Sequence, residues 1–163
     1  MSRPPRLTGF DYKGPYRYLI TCCTHSRRPL FLDTNLALAT LAQFRATAIE
    51  DRFALLAYCL MPDHLHLLVE GLTDSSDLRR SIRISKQRVA SRLSGAAGGR
   101  VWQDGYHDRV LRNDDDVLDF ARYVLENPVR KGLVSQPAEY DYCGSDRWTI
   151  DEILAASGDR RTR

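Results

Sequence analysis

Apolar residues recur along this chain at two spacings, every second position or every third and fourth, and the changes between them outline its elements. "YRYLITCCT" (16–24) is aromatic and β-branched and reads as a strand. "NLALATLAQFRATAIEDR" has helical spacing, with Asp33 or Thr34 placed to cap it. "FALLAYCLMP" (53–62), ended by Pro62, and "HLHLLVEG" (64–71), ended by Gly71, predict two strands joined by a tight "PD" hairpin. "TDSSDLRRSIRISKQRVASRLSG" brings Leu78, Ile82, Val89 and Leu93 to one side of a helix whose cap falls at Asp74, Ser75 or Ser76. After a "GAAGGR" linker, "VWQDGYHDRVLR" (101–112) predicts a fourth strand with an irregular start. "NDDDVLDFARYVLEN" (113–127) predicts a further helix, with acids in its first turn and Pro128 as its stop.

The order strand, helix, strand, strand, helix, strand is the split β-α-β arrangement of an α+β, ferredoxin-like sandwich, an antiparallel sheet with helices on one face. The helix at 113–127 is then an addition to that core. Residues 1–15, rich in Pro, Gly and Arg, predict a flexible lead-in, 16–134 the domain, and 135–163 an appendage ending in a short apolar helix, "IDEILAAS".

Composition narrows the class. The chain has 163 residues, 43% hydrophobic and 28% charged, enough for one domain with a proper core. No apolar run approaches the roughly 20 residues of a membrane span, and the N-terminus has no signal-like apolar stretch, so the expected location is cytoplasmic with no membrane partner. The four cysteines form no C-x-x-C pair and are expected to be free, mostly buried thiols. A net charge of +3 says little, but its distribution says more. Residues 77–93 hold Arg79, Arg80, Arg83, Lys86, Arg88 and Arg92 against the single acid Asp77, and the tail "GDRRTR" adds further arginines.

Two of the chain's four histidines, His64 and His66, fall in one strand. Alternation sends Leu65, Leu67 and Val69 to one face and both imidazoles to the other, about 6.5 Å apart along the strand. That spacing lets both reach one metal ion, although a pair of half-exposed histidines on an open sheet face satisfies the same pattern. Tyr123 and Asn127 are four apart on the 113–127 helix and share a face, so a phenol and a carboxamide could converge on one point. A core role for Tyr123, beside Leu118 and Phe120, is the plainer alternative. Glu70 shares the histidine face and reads as a strand-end charge. Trp102 and Tyr106 are candidates for base stacking or for core packing.

Together "MPDHLHLLV", "VWQDGYHDRVLR" and "ARYVLENPVRKGLV", in this order, resemble the single-tyrosine branch of the HUH single-strand DNA nucleases, and most closely the REP-associated tyrosine transposases. The resemblance spans about Tyr16 to Trp148. It implies that His64 and His66 hold a divalent ion, Mg2+ or Mn2+. It also implies that Tyr123 is the nucleophile and that Asn127, where the insertion-sequence branch usually has Gln, completes the metal site. The implied activity is a metal-dependent single-stranded DNA endonuclease and strand transferase with a 5′-phosphotyrosine intermediate, acting at stem-loop DNA. Arg79, Arg83 and Lys86 on one side of the basic helix, with Arg109 and Arg112, become candidate phosphate contacts. Asp63 stands where Asn is also common and is read as lying outside the chemistry. Family relatives act as dimers with shared sites or alone, so a monomer or a homodimer is expected. The rival reading is a domesticated module that binds hairpin DNA without cutting it.

Overall fold

The computed structural model describes residues 6–113 and 115–156. The predicted basic tail and the first five residues lie outside that range. Strands β1 (Arg17–Cys23), β2 (Phe53–Met61), β3 (His64–Gly71), β4 (His107–Val110) and β5 (Cys143–Gly144) form one sheet in the order β4-β1-β3-β2-β5. All four pairings are antiparallel. The helices are α1 (Thr34–Glu50), α2 (Leu78–Leu93), α3 (Val117–Leu125), α4 (Asn127–Arg130) and α5 (Ile150–Ala156).

Strand alternation divides the interior in two. Tyr18, Ile20 and Cys22 of β1 join Leu65, Leu67 and Val69 of β3 in a cluster with Leu41 and Phe44 of α1 and Ile82 and Val89 of α2. On the opposite face, Leu68 of β3 and Ala57, Cys59 and Met61 of β2 pack with Ala121, Val124 and Leu125 of α3 and Ile153 of α5. Leu56 joins this second cluster because the β2–β3 register shifts between Leu55 and Ala57, a bulge that turns one extra side chain to that side. The α+β sandwich and the separate tyrosine-bearing helix thus match the pattern of apolar positions. Removing the Leu65 side chain, fully buried at the centre of the sheet, should cost about 2–5 kcal/mol in urea unfolding. Leu38→Ala, at a position left 53% exposed on α1, should cost well under about 1 kcal/mol.

Several expectations need correction. Residues 10–15 are not a flexible lead-in: Tyr12 is fully buried, stacks on Tyr18 with ring centres 6.0 Å apart, and its carbonyl accepts from Leu78 N. Gly71 ends β3 against this segment, where a Cβ would collide with the Gly14 carbonyl oxygen. The cap of α2 is Asp77, whose carboxylate accepts from Arg80 N at 3.0 Å; Ser76 instead bridges Leu72 N, Thr73 N and Arg52 O. The fourth strand covers only 107–110. Before it, Trp102 bridges Thr24 and is buried against Phe31 and Phe44. The described part of the expected appendage, residues 135–156, packs on the domain, since β5 pairs with β2 and α5 covers α3. The expected helix over 113–127 is shorter, covering Val117–Leu125, and Asn127 opens a second helix instead of closing the first. Pro128 does not stop a helix but sits in the first turn of α4, where its missing N–H costs nothing.

Candidate active site

His64 and His66 rise from the central strand, on the face opposite α1 and α2. Their Nε2 atoms are 3.1 Å apart and their rings perpendicular. Each Nδ1 has a partner of its own. His64 Nδ1–H donates to Asp63 Oδ1 at 2.6 Å, and His66 Nδ1 lies 2.9 Å from the hydroxyl of Thr21, its register partner on β1. Asp63, read from the sequence as outside the chemistry, is the anchor of His64. Arg27 Nε holds its other oxygen at 3.0 Å, and its carbonyl accepts from both Thr24 N and Thr24 Oγ1. Arg27 reaches it through two consecutive left-handed residues, Ser26 and Arg27, at φ of 54° and 56°. Such conformations cost about 1–3 kcal/mol each for non-glycine residues and persist where the surroundings hold them.

Burial keeps both imidazoles neutral. It pushes the His66 pKa down to about 3, helped by the charges of His64 and Arg130, and lowers that of His64 against the opposing pull of Asp63. The carboxylate partner fixes His64 as the Nδ1–H tautomer, so its Nε2 offers a bare lone pair. His66 Nε2 can donate a hydrogen to that lone pair. Alternatively, with its own proton on Nδ1 facing the Thr21 hydroxyl, it presents a second lone pair to a cation.

The pair suits a divalent ion. Two ligands at right angles around one octahedral ion stand about 3 Å apart, close to the observed spacing. Among the described residues no third His, Cys, Asp or Glu completes a cluster, so a third protein ligand would come from another residue type. Asn127 is such a residue: it opens α4 against β2, is 5% exposed, and its amide nitrogen has no hydrogen-bond partner among the described residues. Amide O and N are interchangeable by a flip, so the same position can offer an oxygen.

Tyr123 sits on α3, one turn before Asn127, and faces His66 of its own chain with ring centres 6.4 Å apart. It is 49% exposed, and its hydroxyl bonds to no described residue. A core role is therefore excluded, and the phenol is free to meet a substrate. Glu70, also on the histidine face, is held by Arg17 at 3.1 Å and Arg147 at 2.7 Å, as a strand-end charge would be.

The family model for IS200-like transposases matches residues 14–127, which include the histidine pair, Tyr123 and Asn127. The chain belongs to the IS200-like transposase family. It is 27% identical over 128 residues to a Haemophilus influenzae protein that carries the provisional name REP-associated tyrosine transposase, covering 68% of this chain and 69% of that one. It is 26% identical over 130 residues to the REP-associated tyrosine transposase of Escherichia coli, covering 77% and 73% respectively. A solved REP-associated tyrosine transposase bound to a REP hairpin superposes with a TM-score of 0.68 at 22% identity, over 96% of this chain and 87% of that one.

The basic residues of this IS200-like transposase divide into two groups. Arg79, Arg80, Arg83 and Lys13 line an open cleft of about 650 Å³ beside Tyr106. Arg83 is exposed with no charged partner among the described residues, and Arg79 stacks on Tyr12 at 4.6 Å. Lys86 is a correction. It lies at the same cleft but turns inward, donating to the Gln103 and Gly105 carbonyls, and burial lowers its pKa. It pins the approach to β4 rather than standing free for a phosphate. Arg109 and Arg112 line a second hollow below β4, where Arg109 stacks on Phe120 at 4.7 Å. Tyr106 and Trp102 are both buried, so neither is available for base stacking.

Proposed function

We infer that this transposase is a metal-dependent single-stranded DNA endonuclease and strand transferase that acts at hairpin DNA through Tyr123. The observation that carries this reading is the approach of Tyr123 to His66 within one chain, which also supports a monomer that completes its own site. The relative solved with a REP hairpin supports hairpin DNA as the substrate class. His64, His66 and Asn127 would hold the divalent ion, Mg2+ or Mn2+. When bound, such an ion polarises a non-bridging phosphate oxygen and favours in-line attack.

The chain's own residues do the rest. Asp63 and Thr21 hold the imidazoles so that both Nε2 atoms face one point. Tyr123 gives its phenol proton to water, and its oxygen attacks phosphorus. The bond from phosphorus to the 3′ oxygen breaks, and that oxygen takes a proton to become a 3′-hydroxyl. The resulting 5′-phosphotyrosine keeps the phosphodiester energy, so a second 3′-hydroxyl can reverse the step and join strands. Arg79 and Arg83 in the cleft, with Arg112, supply phosphate contacts away from the chemistry, while Arg109 lines a hollow shared with Tyr123 and can meet a phosphate beside it.

The test uses a hairpin oligonucleotide with a randomised single-stranded 5′ extension, incubated with the protein and Mn2+. A covalent protein–DNA adduct on a denaturing gel, with a matching fragment ending in a free 3′-hydroxyl, is the expected result. Tight hairpin binding with no adduct in either Mn2+ or Mg2+ would replace the enzyme by the non-cutting hairpin binder.

A further inference from the structure

Arg130 closes α4 on the same side as Tyr123. Its guanidinium lies over the Tyr123 ring, 4.3 Å from the ring centre, and its Nη2 donates to the Tyr123 carbonyl at 2.8 Å. The side chain is therefore fixed at both ends of the tyrosine, and it is still 39% exposed. Its charge is poorly compensated. Among the described residues the one carboxylate paired with it, Glu126, stands 4.0 Å away and is held at 2.7 Å by Arg122 instead.

Helical periodicity accounts for this arrangement, since residues seven apart lie two turns apart on one face. Glu126 is the C-cap of α3 and the N-cap of α4, and Pro128 restarts the helix. Arg130 stands seven residues after Tyr123, and its Nη2 reaches that residue's carbonyl. A surface arginine with no task would not need a stacked plane, a backbone anchor and a carboxylate drawn off by another residue.

We propose that Arg130 is a further catalytic residue of this site, whose guanidinium contacts the scissile phosphodiester while its stacking holds the Tyr123 ring ready to attack. This rests on the reading of Tyr123 as the nucleophile. A phosphate attacked by the Tyr123 oxygen must lie at the edge of the ring that Arg130 covers. There the planar fork can pair with a non-bridging oxygen as charge builds on it in the transition state. A lysine offers a point charge without the plane or the fork, so it is a poor replacement.

The experiment measures single-turnover adduct formation with a hairpin oligonucleotide recovered from the randomised set. The scissile phosphate is either natural or a methylphosphonate, in which a methyl group replaces the charged oxygen. Wild type is expected to lose rate on the methylphosphonate. Arg130→Ala is expected to be slower than wild type on natural DNA by about 10²–10³-fold, the scale of losing one transition-state donor. It should also lose most of its deficit relative to wild type on the neutral substrate, because the charge Arg130 meets is gone. Arg130→Lys should recover only part of the rate on natural DNA. Hairpin affinity in EDTA should stay within a few-fold of wild type.

An equal deficit on both substrates would overturn the proposal and leave Arg130 a structural support of α4. A fall in hairpin affinity that accounts for the whole loss of rate would overturn it too. If wild type itself forms no adduct on natural DNA, the assignment of Tyr123 fails first, and that outcome is distinct from failure at Arg130.

Discussion

Tyr123→Phe should bind hairpin DNA as wild type does and form no covalent adduct at any time in Mn2+ or Mg2+. The change removes one oxygen from a ring that is half exposed and whose hydroxyl makes no hydrogen bond to a described residue, so stability should move by less than about 0.5 kcal/mol. The loss of cleavage should exceed about 10³-fold, the scale of removing a nucleophile outright. Stacking under Arg130 and the approach to His66 need only the ring, so phenylalanine should keep the local packing. An adduct that persists in this variant would move the nucleophile elsewhere. A variant that no longer binds the hairpin would mean the hydroxyl serves recognition rather than attack.

The second large effect lies at the histidine pair. His64→Ala and His66→Ala should each abolish measurable Mn2+ binding in calorimetry, because each leaves a single imidazole where two converged at 3.1 Å. Cleavage should fall by about 10³-fold or more, equivalent to the several kcal/mol that a Lewis-acid ion contributes to phosphoryl chemistry. The double variant should be little worse than either single one, since the ion is lost in all three. Hairpin affinity in EDTA should be unchanged, as the pair lies away from the cleft lined by Arg79 and Arg83. Undiminished Mn2+ binding in the double variant would place the ion at a different site.

Much of this site was legible because its determinants are local. The alternation in "HLHLLVEG" assigns each side chain of β3 to a face without any knowledge of neighbours, and the "PD" turn fixes where that strand begins. Helical spacing placed Tyr123 and Asn127 on one side, one turn apart, and the family resemblance supplied the roles proposed for them. What escaped depends on tertiary contacts. Thr21 meets His66 only because β1 pairs with β3 in one register, which no local pattern specifies. Arg27 reaches Asp63 only through a left-handed turn of two ordinary residues. Pro128 illustrates a real ambiguity, because a proline that ends one helix and a proline in the first turn of the next look alike in sequence. Arg130 lies in that second helix, beyond the proline that reads as a stop, and so was hidden as well. Lys86 fell on the helix side expected for a phosphate contact, but the carbonyls of Gln103 and Gly105 lie within its reach and claim it.

The measurement that bears most directly on this account is mass spectrometry of the trapped protein–DNA adduct. Nuclease trims the DNA to a short remnant, and trypsin releases the peptide spanning 123–130. A nucleotide remnant joined through its 5′ phosphate to Tyr123 is the predicted result. A remnant on any other residue, or an adduct whose Tyr123 peptide is unmodified, would contradict the assignment of this tyrosine as the nucleophile.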